Sequence, residues 1–311
     1  MGKCIIKTAW IFPGQGSQYL GMGKDLYDRT DLGKQYYNIA QEIMGYDIQS
    51  IIFNGPENLL NNTKYTQPSI YITSVILGKI LIQNGHEPDA IAGHSLGEYS
   101  ALAISDSFSF ETGLELVKVR AESMEKAGEL YNGSMAVIVG LEEKKVKSIC
   151  SSYKNEGIVV LANYNSPSQF VVSGSYDAII ETIQEAKKIG AKLAMKLKVS
   201  GAFHSPLMQP ARKTLSKKID SLKFKDPGYP LFNNVNGKAI VNGAKIKESL
   251  VQQLEKPVLW TKSILEMKNF GIKSFLEVGP GKVLQGLNKR IDRSLISNGV
   301  DSLDKMETVF V

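Results

Sequence analysis

Residues 92–101, AGHSLGEYSA, set a serine between two glycines at the junction of an apolar run and a helix-forming run. In Gly93-His94-Ser95-Leu96-Gly97, Ser95 falls on a sharp strand-to-helix turn. A residue there is held in a strained conformation that only small neighbours tolerate, and its Oγ projects clear of the backbone. The helix that follows aims free N–H groups and the positive end of its dipole at any oxyanion formed beside Ser95. The same pattern also fits a glycine-rich turn or a helix cap without chemistry.

The rest of the chain predicts the α/β context this turn requires. Residues 8–12, 88–93 and 272–279 read as strands that end at glycine-containing turns. Residues 67–85 carry apolar side chains at helical spacing and stop at Gly85. Residues 109–128 form another helix, with Ser109 as its cap and Glu111 in its first turn. Strands alternating with helices imply a parallel sheet covered on both faces. The middle differs: strands at 133–140, 157–165, 168–174 and 191–201 enclose helices at 141–155 and 175–190. That βαββαβ order is the split pattern of a ferredoxin-like domain, inserted at roughly 129–199 into a larger domain of residues 1–128 plus 200–311. Trp10 and Phe12 read as part of a first buried strand, and no small-residue cleavage site follows the N-terminal apolar run. Met1-Gly2 lacks the Ser or Thr a myristoylation signal needs, since position 6 is Ile6.

A serine nucleophile needs a base, and the 311 residues include three histidines, His86, His94 and His204. The elbow turns the side chain of its neighbour His94 away from Oγ. His86 lies in a polar connector at the other end of the strand. Elimination leaves His204, in SGAFHSPL, where the large domain resumes. The PGQGSQ loop (13–18) lets backbone approach a ligand, and its N–H groups suit an oxyanion hole. It lacks the Lys-Ser/Thr of a phosphate loop, and GPGK (279–282) is followed by Val283 where that motif needs a hydroxyl.

Composition excludes several classes. No apolar stretch approaches the ~20 residues of a membrane span. Cys4 and Cys150 have no CxxC spacing and no histidine cluster, so no metal site is expected and the chain reads as cytoplasmic or from a reducing organelle. The formal charge of +6 is scattered rather than interleaved with aromatics, which argues against nucleic acid and is compatible with an acidic protein partner.

Together, FPGQGSQYLGMG, YTQPSIY, GHSLGE, VKVRAESM, NYNSPSQ, SGAFHSPLM and VGPGKVLQGLNKRI resemble the malonyl-CoA:acyl-carrier-protein transacylases, in family order from residue 12 to residue 291. The resemblance implies an α/β-hydrolase-like large domain with a ferredoxin-like insertion. It implies Ser95 as nucleophile, His204 as base, and Gln253 as the residue whose amide oxygen orients the histidine. Main-chain N–H groups of Gln15 and Leu96 would form the oxyanion hole. Arg120 would grip the malonyl carboxylate, a role suited to a bidentate guanidinium, although by sequence alone it is one of the chain's 37 basic residues and sits on an amphipathic helix. Gln67 and Asn165 match polar residues near the pocket. Phe203 would crowd an α-methyl group, disfavouring methylmalonyl by roughly 1–3 kcal/mol. The implied substrates are malonyl-CoA and an acidic acyl carrier protein, with no metal or redox cofactor, and the chain is expected to be a monomer. Three alternatives remain: service to a polyketide assembly line, an acyl-thioester hydrolase, which would have no use for Arg120, and a non-catalytic docking module, against which Ser95 and His204 argue.

Overall fold

The computed structural model describes residues 7–309. Met1-Gly2, Cys4 and Ile6 lie outside the described residues. The strands are β1 (Thr8–Phe12), β2 (Ala90–Gly93), β3 (Gly133–Val139), β4 (Val159–Ser166), β5 (Gln169–Ser175), β6 (Leu193–Lys196), β7 (Leu231–Phe232), β8 (Ala239–Ile240), β9 (Ser274–Val278) and β10 (Ile296–Val300). They form two sheets, ordered β10-β9-β1-β2-β7-β8 and β4-β5-β3-β6. The first is parallel from β10 to β7, with β8 antiparallel at its edge. The second is antiparallel throughout.

Strand β1 shows why the large sheet must be covered on both sides. Trp10 and Phe12 point into one apolar cluster, Ala9 and Ile11 into the opposite one, and all four are buried. Burying each large side chain contributes about 1.5–3 kcal/mol, so both faces take helices. One face of the small sheet packs its own helices, Ala136, Ile138, Phe170 and Val172 meeting Val146, Ile149, Ile179 and Ile183, while Met135, Ala162 and Val171 on the other face join the core of the large domain. The second half of β4 lies beside Val258: Tyr164 N donates to Val258 O at 2.9 Å and Val258 N to Ala162 O at 2.8 Å. That short parallel bridge ties the small sheet to the segment leading into the helix Trp260–Asn269.

The expected βαββαβ order between 133 and 196 is present, with shifted boundaries. The expected strand at 191–201 is shorter because β6 pairs with β3 alone, over Leu193–Lys196. The helix expected at 67–85 begins earlier, at Thr63, because the Asn62 side chain accepts from Lys64 N and starts it before Pro68. Ser109 caps the helix Phe110–Leu130 as expected, accepting from Thr112 N. Among the described residues, no helix is long and apolar enough to cross a membrane, and no cluster of three or more His, Cys, Asp or Glu is arranged to hold a metal. Cys150 is a free, half-buried thiol whose pKa burial pushes up to about 11.

Candidate active site

Strand β2 ends at Gly93 and the helix Gly97–Ile104 starts after a single tight turn. Ser95 has φ 52°, in the left-handed region that L-residues avoid. Both flanking glycines are required by space: a Cβ on Gly93 would overlap the Gly97 carbonyl, and one on Gly97 the Phe12 carbonyl. Asn234, just past β7, clamps the turn. Its Oδ1 accepts from Ser95 N at 2.7 Å and its Nδ2 donates to Gly93 O at 2.6 Å. The site thus sits at the carboxyl ends of β1, β2 and β7, where an open α/β sheet presents its loops.

His204 also has a left-handed backbone, φ 57°, and its Nε2 lies 2.7 Å from Ser95 Oγ. Its Nδ1 faces two main-chain carbonyls, Gln253 O at 2.8 Å and Lys256 O at 3.2 Å. Carbonyls only accept, so Nδ1 carries the hydrogen and Nε2 is left to accept from the serine hydroxyl. Burial, reinforced by the Arg120 charge, pushes the His204 pKa down to about 3. The ring is therefore neutral near pH 7 and can accept a proton. The orienting oxygen of Gln253 is its main-chain one; its side-chain amide bonds elsewhere.

Arg120 is 1% exposed. Its Nη1 donates to Gln67 Oε1 at 2.6 Å, and its Nη2 to Ser95 Oγ at 2.9 Å and Gln253 Oε1 at 3.1 Å. The guanidinium lies 5.4 Å from the Tyr99 ring centroid. All three acceptors are neutral, and Nε has no partner. A buried cation so placed favours a ligand carboxylate.

Ser95, Leu96, Arg120, Gln67, Gln15, Phe203 and His204 line one pocket of about 90 Å³. It shares Gln15, His94, Asn163, Val171 and Leu197 with a cleft of about 520 Å³. That cleft lies between the second face of the small sheet, which supplies Val137, Val139 and Val171, and the helix Val283–Ile291, which contributes Leu284, Leu287 and Arg290. Asn165 lines the outer cleft, with Oδ1 2.8 Å from His94 Nε2. His94 is thus turned away from Ser95. Gln15 donates through Nε2 to Thr63 Oγ1 at 3.1 Å, anchoring its loop to the start of the helix Thr63–Gln83.

The acyl transferase domain family matches residues 9–303. The malonyl CoA-acyl carrier protein transacylase of Bacillus subtilis is 39% identical over 302 residues, covering 97% of this chain and 95% of that one. An acyl carrier protein S-malonyltransferase structure from Vibrio cholerae superposes with a TM-score of 0.93 at 38% identity, over 97% of this chain and 99% of that one. The chain belongs to the malonyl-CoA–acyl carrier protein transacylase family. A further solved relative, a malonyl-transacylase in complex with a type II PKS acyl-carrier protein, reaches a TM-score of 0.93 at 37% identity, over 97% of this chain and 98% of that one.

For a malonyl-CoA–acyl carrier protein transacylase, the residues expected from sequence converge closely. Ser95, His204 and Arg120 meet at one oxygen, Gln67 and Gln253 hold the arginine, and Phe203 walls the pocket. Sequence reasoning missed Glu98 and Asn234. Glu98 is fully buried on the first turn after the elbow, and burial pushes its carboxyl up to about 7. Its signal was an acidic side chain in an otherwise apolar and small helix, GEYSALAI. Asn234 carried no such signal, since its partners lie far away in the chain.

Proposed function

We propose that the protein carries a malonyl group from malonyl-CoA to the phosphopantetheine thiol of an acyl carrier protein, through an ester on Ser95, supplying fatty acid synthesis. One observation carries this reading: the buried Arg120 guanidinium reaches the same serine oxygen that pairs with a neutral imidazole. A hydroxyl-imidazole pair serves any acyl transfer; the arginine selects an acyl group that ends in a carboxylate.

In the first half-reaction Ser95 Oγ attacks the thioester carbonyl and passes its proton to His204 Nε2. Main-chain N–H groups of Leu96 and Gln15 hold the oxyanion. Collapse breaks the C–S bond, and the departing CoA sulfur takes the proton from His204. In the second half-reaction the carrier thiol gives its proton to His204 and attacks the ester carbonyl. The C–O bond breaks, and Ser95 recovers the proton. Arg120 holds the malonyl carboxylate in both halves, with Gln67 fixing its Nη1. Phe203 presses on the α-carbon and disfavours a methyl branch. Asn165 keeps His94 clear at the mouth. Side chains and main-chain N–H groups of this chain account for each step as written, and no cofactor is proposed.

The sheet order β4-β5-β3-β6 supports a ferredoxin-like description of residues 129–199, inserted into an α/β-hydrolase-like domain of residues 1–128 plus 200–311. The net charge of +6 suits an acidic carrier protein. We read the protein as a cytoplasmic monomer. A polyketide carrier is the second reading, favoured by the likeness to the transacylase solved with such a partner.

The test is intact mass after incubation with malonyl-CoA, acetyl-CoA or methylmalonyl-CoA. A malonyl ester on Ser95, discharged by added carrier protein bearing its phosphopantetheine, is expected. An unmodified protein, or an adduct that survives Ser95→Ala, defeats the reading. Rates with fatty-acid and polyketide carrier proteins separate the two pathways.

A further inference from the structure

Glu98 has no part in the steps above, yet a carboxylate is rarely kept at 0% exposure without partners that use it. Its Oε2 accepts from Asn234 N at 3.1 Å and from Gln253 Nε2 at 3.0 Å, while Oε1 has no partner. The Gln253 amide donates through the same Nε2 to Ser95 O at 3.0 Å and accepts through Oε1 from Arg120 Nη2 at 3.1 Å. The Asn234 main-chain N–H only donates, so Oε2 is an acceptor whether or not the carboxyl carries a proton. It therefore holds the Gln253 amide with nitrogen toward Glu98 and oxygen toward Arg120. The reverse orientation sets an NH₂ group against the guanidinium, donor against donor.

We propose that Glu98 is a positioning residue for Arg120, acting through the side-chain amide of Gln253, and so sets the preference for an acyl group that ends in a carboxylate. The assignment rests on the malonyl-transfer reading. Glu98 has two arms. The arm through Asn234 supports the Ser95 turn and serves every acyl group alike. The arm through Gln253 also touches the turn at Ser95 O, but through Oε1 it alone reaches Arg120, which distinguishes acyl groups that carry a carboxylate. The ratio of malonyl to acetyl transfer isolates the second arm, because general loosening of the turn cancels from it.

The experiment measures kcat and KM for malonyl-CoA and acetyl-CoA in wild type, Glu98→Gln, Glu98→Asp and Glu98→Leu, with circular dichroism to verify folding. Glu98→Leu removes the acceptor and Glu98→Asp withdraws it by one methylene. Each is expected to lower the malonyl-to-acetyl ratio about five- to tenfold, the worth of roughly one hydrogen bond, chiefly by raising the malonyl-CoA KM. Glu98→Gln keeps an oxygen at the Oε2 position and is expected to hold the ratio within about twofold. If Glu98→Leu fails to fold, Glu98→Asp, which retains the carboxylate, carries the test. Malonyl and acetyl transfer falling by one factor in the folded variants would overturn the assignment, as would Glu98→Gln losing as much ratio as the others. A wild-type protein that forms no malonyl ester would instead overturn the transfer reading, and this assignment with it.

Discussion

Arg120 Nη2 donates to Ser95 Oγ at 2.9 Å, the oxygen that also stands 2.7 Å from His204 Nε2. The serine hydroxyl hydrogen points to the imidazole, so the arginine occupies one of the oxygen's lone pairs. An incoming malonyl carboxylate offers Arg120 a charged acceptor, and charge-assisted bonds are roughly twice as strong as neutral ones. An acetyl group offers none and leaves Arg120 on the nucleophile.

Arg120→Ala is therefore expected to be selective. Truncating one partner of a buried charged pair costs about 2–5 kcal/mol, or roughly 30- to several-thousand-fold in malonyl kcat/KM. Acetyl transfer is expected to hold or rise. Arg120→Lys restores malonyl transfer only in part, because an ammonium lacks the fork. The ratio of the two rates checks this; an equal fall in both makes the arginine a structural residue only.

His204→Ala is expected to lower transfer on the order of 10²–10⁴-fold, the usual range for loss of a general base. His94→Ala is expected to cost far less, because its Nε2 bonds Asn165 Oδ1 rather than Ser95. Steady-state rates of the two folded variants decide it, and comparable losses would reassign the base.

The elbow was legible because its glycines are dictated locally: both close approaches, to Gly97 and to Phe12, arise from one strand-turn-helix unit and its neighbour. His204 was legible by elimination among three histidines. Arg120 was not legible from periodicity. Lys118 on the same helix donates to the Ile43 and Met44 carbonyls, and nothing local separates a buried cation from one that caps a neighbour. Glu98 and Asn234 meet across 136 residues, so their pairing leaves no periodic trace. For Gln253 the residue was legible but the atom was not, since a main-chain carbonyl carries no mark of its side chain.

Acid stability follows from four buried groups. Burial holds His204 and His94 low and pushes Glu98 and Glu277 up to about 7. Unfolded histidine binds its proton near 6.5, whereas folded His204 refuses it until about 3, so acidification across that window favours unfolding. The two carboxyls bind protons near 7 when folded and near 4.5 when unfolded, so acidification from 7 to 4.5 favours the fold. Between about 6.5 and 4.5 the gain from the carboxyls offsets the loss from His204. Below 4.5 His204 acts without that offset, at up to ~1.4 kcal/mol per pH unit. Urea unfolding is expected to give nearly constant stability down to pH 4.5 and a steep fall beneath it. Glu277→Gln removes one offset, so its stability at pH 4.5 relative to pH 7 is expected to be lower than that of wild type. A Glu277→Gln profile parallel to wild type would contradict this balance.

The left-handed backbone at Ser95 makes a separate prediction, one about stability rather than rate. At φ 52° a Cβ crowds the local backbone, a strain of about 1–2 kcal/mol that glycine does not incur. Ser95→Ala and Ser95→Gly both delete the hydroxyl, with its bonds to His204 and Arg120, so those losses cancel between them. What remains is the strain relieved by glycine against its larger unfolded-state entropy, about 0.4–1 kcal/mol. Ser95→Gly is therefore expected to be the more stable of the two by up to about 1 kcal/mol, with neither forming an ester. Urea midpoints of the pair, at matched slopes, measure the difference. A more stable Ser95→Ala would mean that the strain at this turn is smaller than glycine's entropy cost, and that the left-handed backbone contributes little to the energetics of the site.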